Sequence, residues 1–531
     1  MFRPSPQLLA DVYKFSHPPQ YPANTQIVYS NTTARSSRLE GVDSVVVFGT
    51  QYLIEEYFIA NWNENFFSKP KEKAIRKFKR MMDAVTGKDS VSTKTMESLH
   101  DLGYLPIRLK ALPEGTLCPI QVPFMTIVNT HEDFYWVTNF LETLTQTVMW
   151  QAIVSATIAH QFKKLVSKHA NETSDNCPFV KFQCHDFSMR GMSSVETGYV
   201  SGGGHLLSFL GTDTVSAVEF LEEFYGADVE KETVGCSVPA TDHSVMCAGG
   251  DESEEETFRR IIEDVYPTGI VSIVSDTWDY WNVLKKILPA LYAKIMARKG
   301  KVVIRPDSGD PVKIVTGYFV ENIKYTSEDY LQRIRRVPFH MRLWGGDVEF
   351  DAVKTTDGKY FDITNEELTE DEVKGSIVLL HELFGGTTNS KGYIELDPHI
   401  GLIYGDSITF DRCEQICERL KRKGFASTNI VFGVGSYTYQ YNTRDTFSIA
   451  CKATHVKIDG KEKPIFKDPK TGGHKKSAKG LLAVVKDDGG KLILKNDCTP
   501  EEEVGGELQV MFENGVQFNK TTLNEIRGRL E

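Results

Sequence analysis

Residues 302–311 read VVIRPDSGDP. Val302, Val303 and Ile304 form the β-branched run of a buried strand, which Arg305-Pro306 ends. Asp307 and Ser308 then crowd a turn stiffened by Pro306, Gly309 and Pro311. The same order recurs along the chain. Short apolar runs at 180–184, 206–210, 234–238, 270–274, 301–304, 401–404 and 429–433 each run out into polar, glycine-rich or acidic residues. Helical patterns fill intervals at 214–226, 277–288 and 409–424, the last with Gly424 in the C-cap region. Strand, loop and helix alternating in this way predict a parallel sheet, and so many units predict a closed or nearly closed α/β barrel. A doubly wound open sheet is the alternative. In either fold the loops after the strands share one end, where such folds place their chemistry.

The rest of the sequence sets bounds. The 531 residues are 40% hydrophobic and 25% charged, enough for a large core and a second domain. A net charge of −11 argues against a general nucleic-acid binder. Nine cysteines without a CxxC pair read as buried or free thiols in a reducing compartment. No run approaches the length of a membrane span and the first residues lack a signal-peptide core, so a soluble, cytoplasmic protein is expected. The basic stretch 69–85 reads as a helix burying Ile75, Phe78, Met82 and Val85. The polar stretches 251–256, 355–375 and 467–480 read as solvated loops, and 133–170 as a long aromatic-rich helical region.

The predicted loops bring together His185, Asp186, Phe187 and Arg190, then Asp213, then Asp242 and His243. They add Ser275 and Asp276, Arg305 and Asp307, Gly405 and Asp406, and Gly433, Gly435 and Ser436, with Arg444 beyond. Arginines beside glycine-rich turns suit phosphate groups, and carboxylates suit sugar hydroxyls or a hydrated Mg²⁺. An aromatic such as Phe187 can stack a flat ring. The set describes a phosphorylated sugar, a metal and a heterocycle. Taken singly the residues are ambiguous: Asp213, before TVSAV, reads equally as a helix N-cap.

These residues carry a family resemblance. LLADVYKFSHPPQYPANTQIVYS, HDFSMRGMSSVET, FLGTDTVSA, SVPATDHSV, VSDTWD, IRPDSGDP, YGDSI, FGVGS, TRDT, CKAT and FKDP, in this order, resemble the nicotinamide phosphoribosyltransferases over about 8–55, 105–311 and 401–480. The resemblance implies a type II phosphoribosyltransferase barrel over 180–440, with a possible insertion around 312–400. It implies a second, mixed domain built from 1–179 and 441–531. It also implies transfer of 5-phosphoribosyl from phosphoribosyl pyrophosphate to nicotinamide, with Mg²⁺, ATP as a stimulating co-substrate, and a homodimer with shared active sites. Membrane and nucleic acid play no part in it. Position by position, Phe187 and the partner subunit's Tyr13 would sandwich the nicotinamide ring, with Asp213 accepting from its amide. Arg190, His243 and Arg305 would face pyrophosphate, while Asp276 and Asp307 hold the ribose and metal side, with no residue assigned directly as a metal ligand. Gly405, Asp406, Gly435 and Ser436 would cradle the 5′-phosphate, with Arg444, Lys452 and Lys467 adding charge. His243 corresponds to the histidine that the family phosphorylates. The chain departs from the pattern at Ser436, where the family has glycine, and at Gly401, where it has arginine. The rival readings are a nicotinate phosphoribosyltransferase, a non-catalytic nucleotide-binding protein on the same scaffold, and a phosphosugar enzyme of the aldolase type. The last would want a lysine on these loops, and none is there.

Overall fold

The structure, a computed structural model, describes residues 3–334, 350–405, 407–468 and 477–531. Its centre is a six-stranded parallel sheet of Cys184–Asp186, Gly211–Thr212, Thr268–Val274, Lys299–Arg305, Ile400–Tyr404 and Ile430–Val434. The first strand pairs with the second and the last, and neighbours continue round to Thr268–Val274. The two edges are bridged by the segment 234–241, where Cys236 pairs with Gly211 and Ala240 with Ser272. Main-chain bonds from Thr212 N–H to Cys236 O (3.0 Å) and from Thr241 N–H to Ser272 O (2.9 Å) complete the ring. The barrel therefore closes, and the open-sheet alternative falls.

Two strands lie later than their apolar runs. VKFQC is mostly the 3₁₀ helix Cys177–Phe182, and LLSFL follows the end of a helix, Val195–Leu206, that the sequence reading did not anticipate. Three consecutive glycines disfavour helix there, yet packing requires them. A Cβ on Gly202 would lie 2.7 Å from Ala217 Cβ, and one on Gly204 would lie 2.5 Å from Ser155 Oγ. The glycines thus let this helix press against Val215–Tyr225 on one side and the 32-residue helix Glu142–Thr173 on the other. The helix Phe410–Arg422 ends as expected, with Gly424 at φ +81°.

A seven-stranded sheet lies beside the barrel elements. It takes Thr25–Thr33, Ile107–Ala111 and Pro123–Asn129 from the first part of the chain and Ala450–Ile458, Lys461–Pro464, Gln509–Glu513 and Val516–Gln517 from the last. The C-terminal helix Leu523–Leu530 ties this material to the barrel, since Arg527 donates to the carbonyls of Leu206 (2.8 Å) and Val234 (2.7 Å). The basic helix spans Lys71–Thr86 and buries Phe78 and Met82, but Val85 is 65% exposed because it falls in the last turn, past the core.

Residues 312–400 are ordered where described. Val320–Asn322, Ala352–Lys354, Tyr360–Asp362 and Glu367–Leu368 make a small sheet over its own core of Tyr330, Val353 and Phe361. Asp351 pins it to the barrel through Lys313 and through Arg419 (2.7 Å). The polar stretch 355–375 is thus strand and helix rather than loop, and Glu254, in the acidic run at 251–256, is buried in the helix Glu254–Arg260. Among the described residues no helix is long and apolar enough to cross a membrane.

Candidate active site

The opening stretch divides its labour. Arg305 closes its strand with Nη2 donating to Thr241 O at 2.6 Å, while its buried Nε finds no hydrogen-bond partner among the described residues. The main chain of Asp307 donates to Asp276 Oδ2 at 3.1 Å, which ties two neighbouring strand ends together. The Tyr404 hydroxyl lies 2.9 Å from both the Ser308 and Gly309 carbonyls and clamps the turn from the next strand. Gly309 adopts φ +88°, a conformation that disfavours side chains. Asp310 has a local duty: it accepts from Val312 N–H (2.9 Å) and caps the helix Pro311–Thr316. Of the two aspartates, Asp307 alone is left at the barrel mouth. Gly405 makes room for it, because a Cβ there would sit 2.5 Å from Asp307 Oδ1.

His243 opens the short helix His243–Cys247, capped by Asp242 accepting from Ser244 N–H at 2.7 Å. Its Nε2 lies 3.4 Å from Asp276 Oδ1; the Asp276 side chain is only 5% exposed, whereas that of His243 is 46% exposed. Asp276 Oδ1 is buried and takes no hydrogen bond among the described residues. A buried carboxylate oxygen and an exposed imidazole thus meet at the strand ends, with Arg305 bonded to Thr241, two residues before His243.

The other half of the mouth forms the wall of a cavity of about 460 Å³ that contains Phe187, His185, Asp213 and Arg305. Asp213 Oδ1 accepts from Ser237 Oγ at 2.6 Å and lies 2.8 Å from His185 Nε2. Burial alone would raise the Asp213 carboxyl, but the hydrogen bonds from His185 and Ser237 and the nearby Arg305 charge outweigh it and hold the group below the ordinary carboxylate range. Asp213 is not a helix cap. The N-cap of Val215–Tyr225 is Thr214, and the Asp213 oxygen is turned instead toward His185 and Ser237. The Phe187 ring lies 4.6 Å from that of His185, and its main chain is held by Val434 O at 2.9 Å. Neighbouring Asp186 is fully buried and accepts from Thr214 Oγ1 (2.7 Å) and Ser188 N–H (2.9 Å), so it fixes the loop. Arg190 is exposed on the 3₁₀ turn Met189–Gly191.

Gly433 and Gly405 face one another closely; a Cβ on Gly433 would be 2.8 Å from Gly405 O. Gly435 is extended and Ser436 begins the helix Ser436–Gln440. Serine therefore sits at the start of a helix, where it needs no conformation reserved for glycine. Its hydroxyl instead fills the space beside the Cα of Gly191. Asp406 lies outside the described residues. At Gly401 the space is taken by Lys301, whose Cδ would be 3.0 Å from a Cβ there.

Tyr13, Arg444 and Lys452 gather elsewhere, around Glu142 and Gln146. Lys14 pairs with Glu142, Gln146 donates to Glu142 Oε1 at 3.0 Å, Arg444 Nη1 donates to Gln146 Oε1 at 3.2 Å, and Lys452 Nζ lies 3.7 Å from Glu142 Oε1. Tyr13 is 54% exposed, with the Lys14 ammonium 5.2 Å from its ring. No hydrogen bond or ion pair of Tyr13, Arg444 or Lys452 among the described residues reaches the barrel mouth. Lys467 is on an exposed loop, held by its main chain to Ser477 Oγ at 2.8 Å. The roles of Ser237, Thr241 and Tyr404 are invisible in sequence because each acts across strands; His185, beside Phe187, was among the loop candidates, but its bond to Asp213 was not legible.

Comparison with known proteins places this geometry. A model described as the nicotinate phosphoribosyltransferase (NAPRTase) family matches residues 182–515, and one described as the nicotinamide phosphoribosyltransferase N-terminal domain matches 6–96. A nicotinamide phosphoribosyltransferase of Acinetobacter baylyi is 44% identical over 100% of this chain and 97% of its own length. The chain belongs to the nicotinamide phosphoribosyltransferase family. A family member of Mycoplasma pneumoniae is 32% identical over 89% of this chain and 94% of its own. A crystal structure of nicotinate-nucleotide pyrophosphorylase from Pyrococcus furiosus shares the fold, with TM-score 0.51 and 14% identity over 100% of this chain and 96% of that one. The fold is the type II phosphoribosyltransferase barrel.

Proposed function

We propose that the protein transfers the 5-phosphoribosyl group from phosphoribosyl pyrophosphate to nicotinamide, giving nicotinamide mononucleotide and pyrophosphate. The observation that carries this reading is the division of the barrel mouth. A ring-sized apolar wall with one oriented carboxylate, Asp213, adjoins a polar half built from Arg305, Asp307, Asp276 and His243. Nicotinamide is neutral and a weak nucleophile. Phe187 would hold its ring flat, and Asp213, kept ionised by its neighbours, would accept from its amide and aim the ring nitrogen at C1′. As the C1′–oxygen bond breaks, negative charge grows on pyrophosphate and positive charge on the ribose. Arg305, whose Nε has no hydrogen-bond partner among the described residues, and exposed Arg190 would stabilise the former, and Asp307 the latter.

The donor set fits Mg²⁺. Asp276 presents a buried carboxylate whose Oδ1 lies 3.4 Å from His243 Nε2 and accepts no hydrogen bond among the described residues, and Asp307 is next to it, while no group of three metal-ligating side chains forms among the described residues. Such a sparse set suits an ion that arrives on the pyrophosphate with its waters. When bound, Mg²⁺ neutralises pyrophosphate charge. The Asp276 carboxylate beside Nε2 would leave His243 Nδ1 as acceptor of the ATP γ-phosphoryl, with ADP leaving. The exposed Tyr13, Arg444 and Lys452 group would complete the site of a partner subunit in a cytoplasmic homodimer.

The test is product formation from nicotinamide and nicotinate side by side, with and without ATP. Nicotinamide should be strongly preferred. His243→Ala should abolish ATP stimulation while some basal transfer remains. Equal use of both bases, or undiminished stimulation in the variant, would refute the corresponding half of the reading.

A further inference from the structure

Residues 312–400 carry no part of the family resemblance, yet one of their side chains stands between the two carboxylate loops. The short helix Pro311–Thr316 begins just past Asp307, and its last carbonyls lack helical donors. Gly317 turns the chain away, and Tyr318 N–H, the helical partner that Ile314 O would have, donates to Val373 O instead at 2.9 Å. Ser376 serves that carbonyl, its Oγ donating to Ile314 O at 2.6 Å. With its single proton used there, the serine can only accept from the Tyr280 hydroxyl, 2.7 Å away. Both side chains are buried, Ser376 completely. Tyr280 opens the turn Tyr280–Asn282 directly after the Asp276 loop, and Asp279 caps that turn by accepting from Asn282 N–H at 3.1 Å. Gly375 makes the approach possible, because it adopts φ +78° and a Cβ on it would collide with the main chain of Gly317.

The Asp276 and Asp307 loops are therefore joined twice. At the mouth, Asp307 N–H donates to Asp276 Oδ2. Behind it, the bonds from Tyr280 to Ser376 and from Ser376 to Ile314 tie together the segments that follow the two aspartates. We propose that Ser376 is a positioning residue: through Tyr280 and the Ile314 carbonyl it fixes the spacing of the Asp276 and Asp307 carboxylates, which gives the segment 312–400 a part in holding the magnesium pyrophosphate. The proposal rests on the role given to those two aspartates above. Each stands on its own loop, and a misplacement of about 1 Å in such a pair can cost a hundredfold in rate, so a buried brace between the loops bears directly on turnover. The base lies on the Asp213 side of the mouth, against Phe187, and its binding does not pass through the brace.

The experiment is calorimetric titration of the full chain with magnesium pyrophosphate, alongside steady-state kinetics with nicotinamide. Tyr280→Phe keeps the buried ring and removes one bond of the brace; Ser376→Ala removes both. Each should weaken magnesium pyrophosphate binding and lower kcat about three- to tenfold, with the KM for nicotinamide within about twofold of the parent. Because the two bonds act as one brace, the double variant should be no worse than Ser376→Ala alone. Parental affinity and kcat in a folded Tyr280→Phe chain, or additive losses in the double variant, would overturn the proposal. So would a nicotinamide KM that rises as much as kcat falls, the mark of a general loss of packing. If Ser376→Ala does not fold, Tyr280→Phe decides alone. Binding is read without turnover, so a parent that holds magnesium pyrophosphate yet makes no nicotinamide mononucleotide counts against the assigned reaction and not against the brace.

Discussion

In the proposed function Asp213 would decide base choice, and its surroundings make that role testable. It caps no helix, so replacing it carries no capping penalty; Thr214 holds that place. Asp213→Asn keeps the shape and removes the charge that accepts from the amide. Nicotinamide use, as kcat/KM, is expected to fall about ten- to a hundredfold, the worth of a charge-assisted bond. Nicotinate use should fall less or rise, because like-charge repulsion is relieved. An unchanged ratio of the two kcat/KM values in a folded variant would move specificity elsewhere. Gly405 offers a second test at this scale. A methyl there would meet Asp307 Oδ1 at 2.5 Å, so Gly405→Ala should displace the carboxylate and cut kcat at least about tenfold, with Tm nearly unchanged. Parental kcat would show that Asp307 need not stand where it does.

At the scale of elements, Glu114 holds the start of the helix at Thr50–Tyr52. Its carboxyl is completely buried, with Gln51 N–H at 2.6 Å and Gly49 N–H at 3.1 Å donating to it. Burial pushes its pKa up to about 7 from an ordinary 4.5, although those donors pull the other way. Between these values the folded chain keeps a proton that the unfolded chain has lost, so this group's contribution to stability declines as pH rises through that window and is level above it. The slope is at most about 1.4 kcal/mol per pH unit. Comparing denaturant midpoints at pH 5 and pH 8, the parent should lose more stability than Glu114→Gln; equal losses would show that the carboxyl titrates normally. Glu114 also illustrates what sequence reading can reach. The strands Thr268–Val274, Lys299–Arg305, Ile400–Tyr404 and Ile430–Val434 were legible because each contains a short apolar run that gives way to polar or glycine-rich loop residues. The loops' Arg305, Asp307, Asp276 and Asp213 were legible for the same reason. Nothing in the vicinity of Glu114 announces a buried carboxyl, since its donors come from a segment 63 or more residues away. The glycine-rich helix Val195–Leu206 was hidden because local propensity opposes it and only tertiary packing supports it.

For the whole molecule, the candidate residues fall into two groups that no hydrogen bond or ion pair joins among the described residues. If Tyr13 serves the partner's barrel, Tyr13→Ala and Asp307→Ala should each be nearly inactive alone. Mixed in equal amounts with proven subunit exchange, they should recover up to about a quarter of parental activity, since half the dimers are hybrids with one intact site of two. A mixture that stays inactive would argue that each chain works alone.

The barrel's closure has a consequence for motion. Where Thr268–Val274 meets Lys299–Arg305, seven residue pairs are in register, but across the 234–241 segment each junction rests on a single bridge, at Cys236 and at Ala240. Such a ring has one soft seam, and it should breathe there first. The amides of Thr212, Cys236 and Thr241, all bonded across the seam, should exchange with deuterated water earlier than those of Val302 and Ile304. Ser237 and Val238 line the cavity between the two bridges, so a molecule entering the barrel presses on its most compliant wall. Protection that rises at the seam when a ligand is added, with the opposite wall unchanged, would reveal a barrel that admits its cargo through its side.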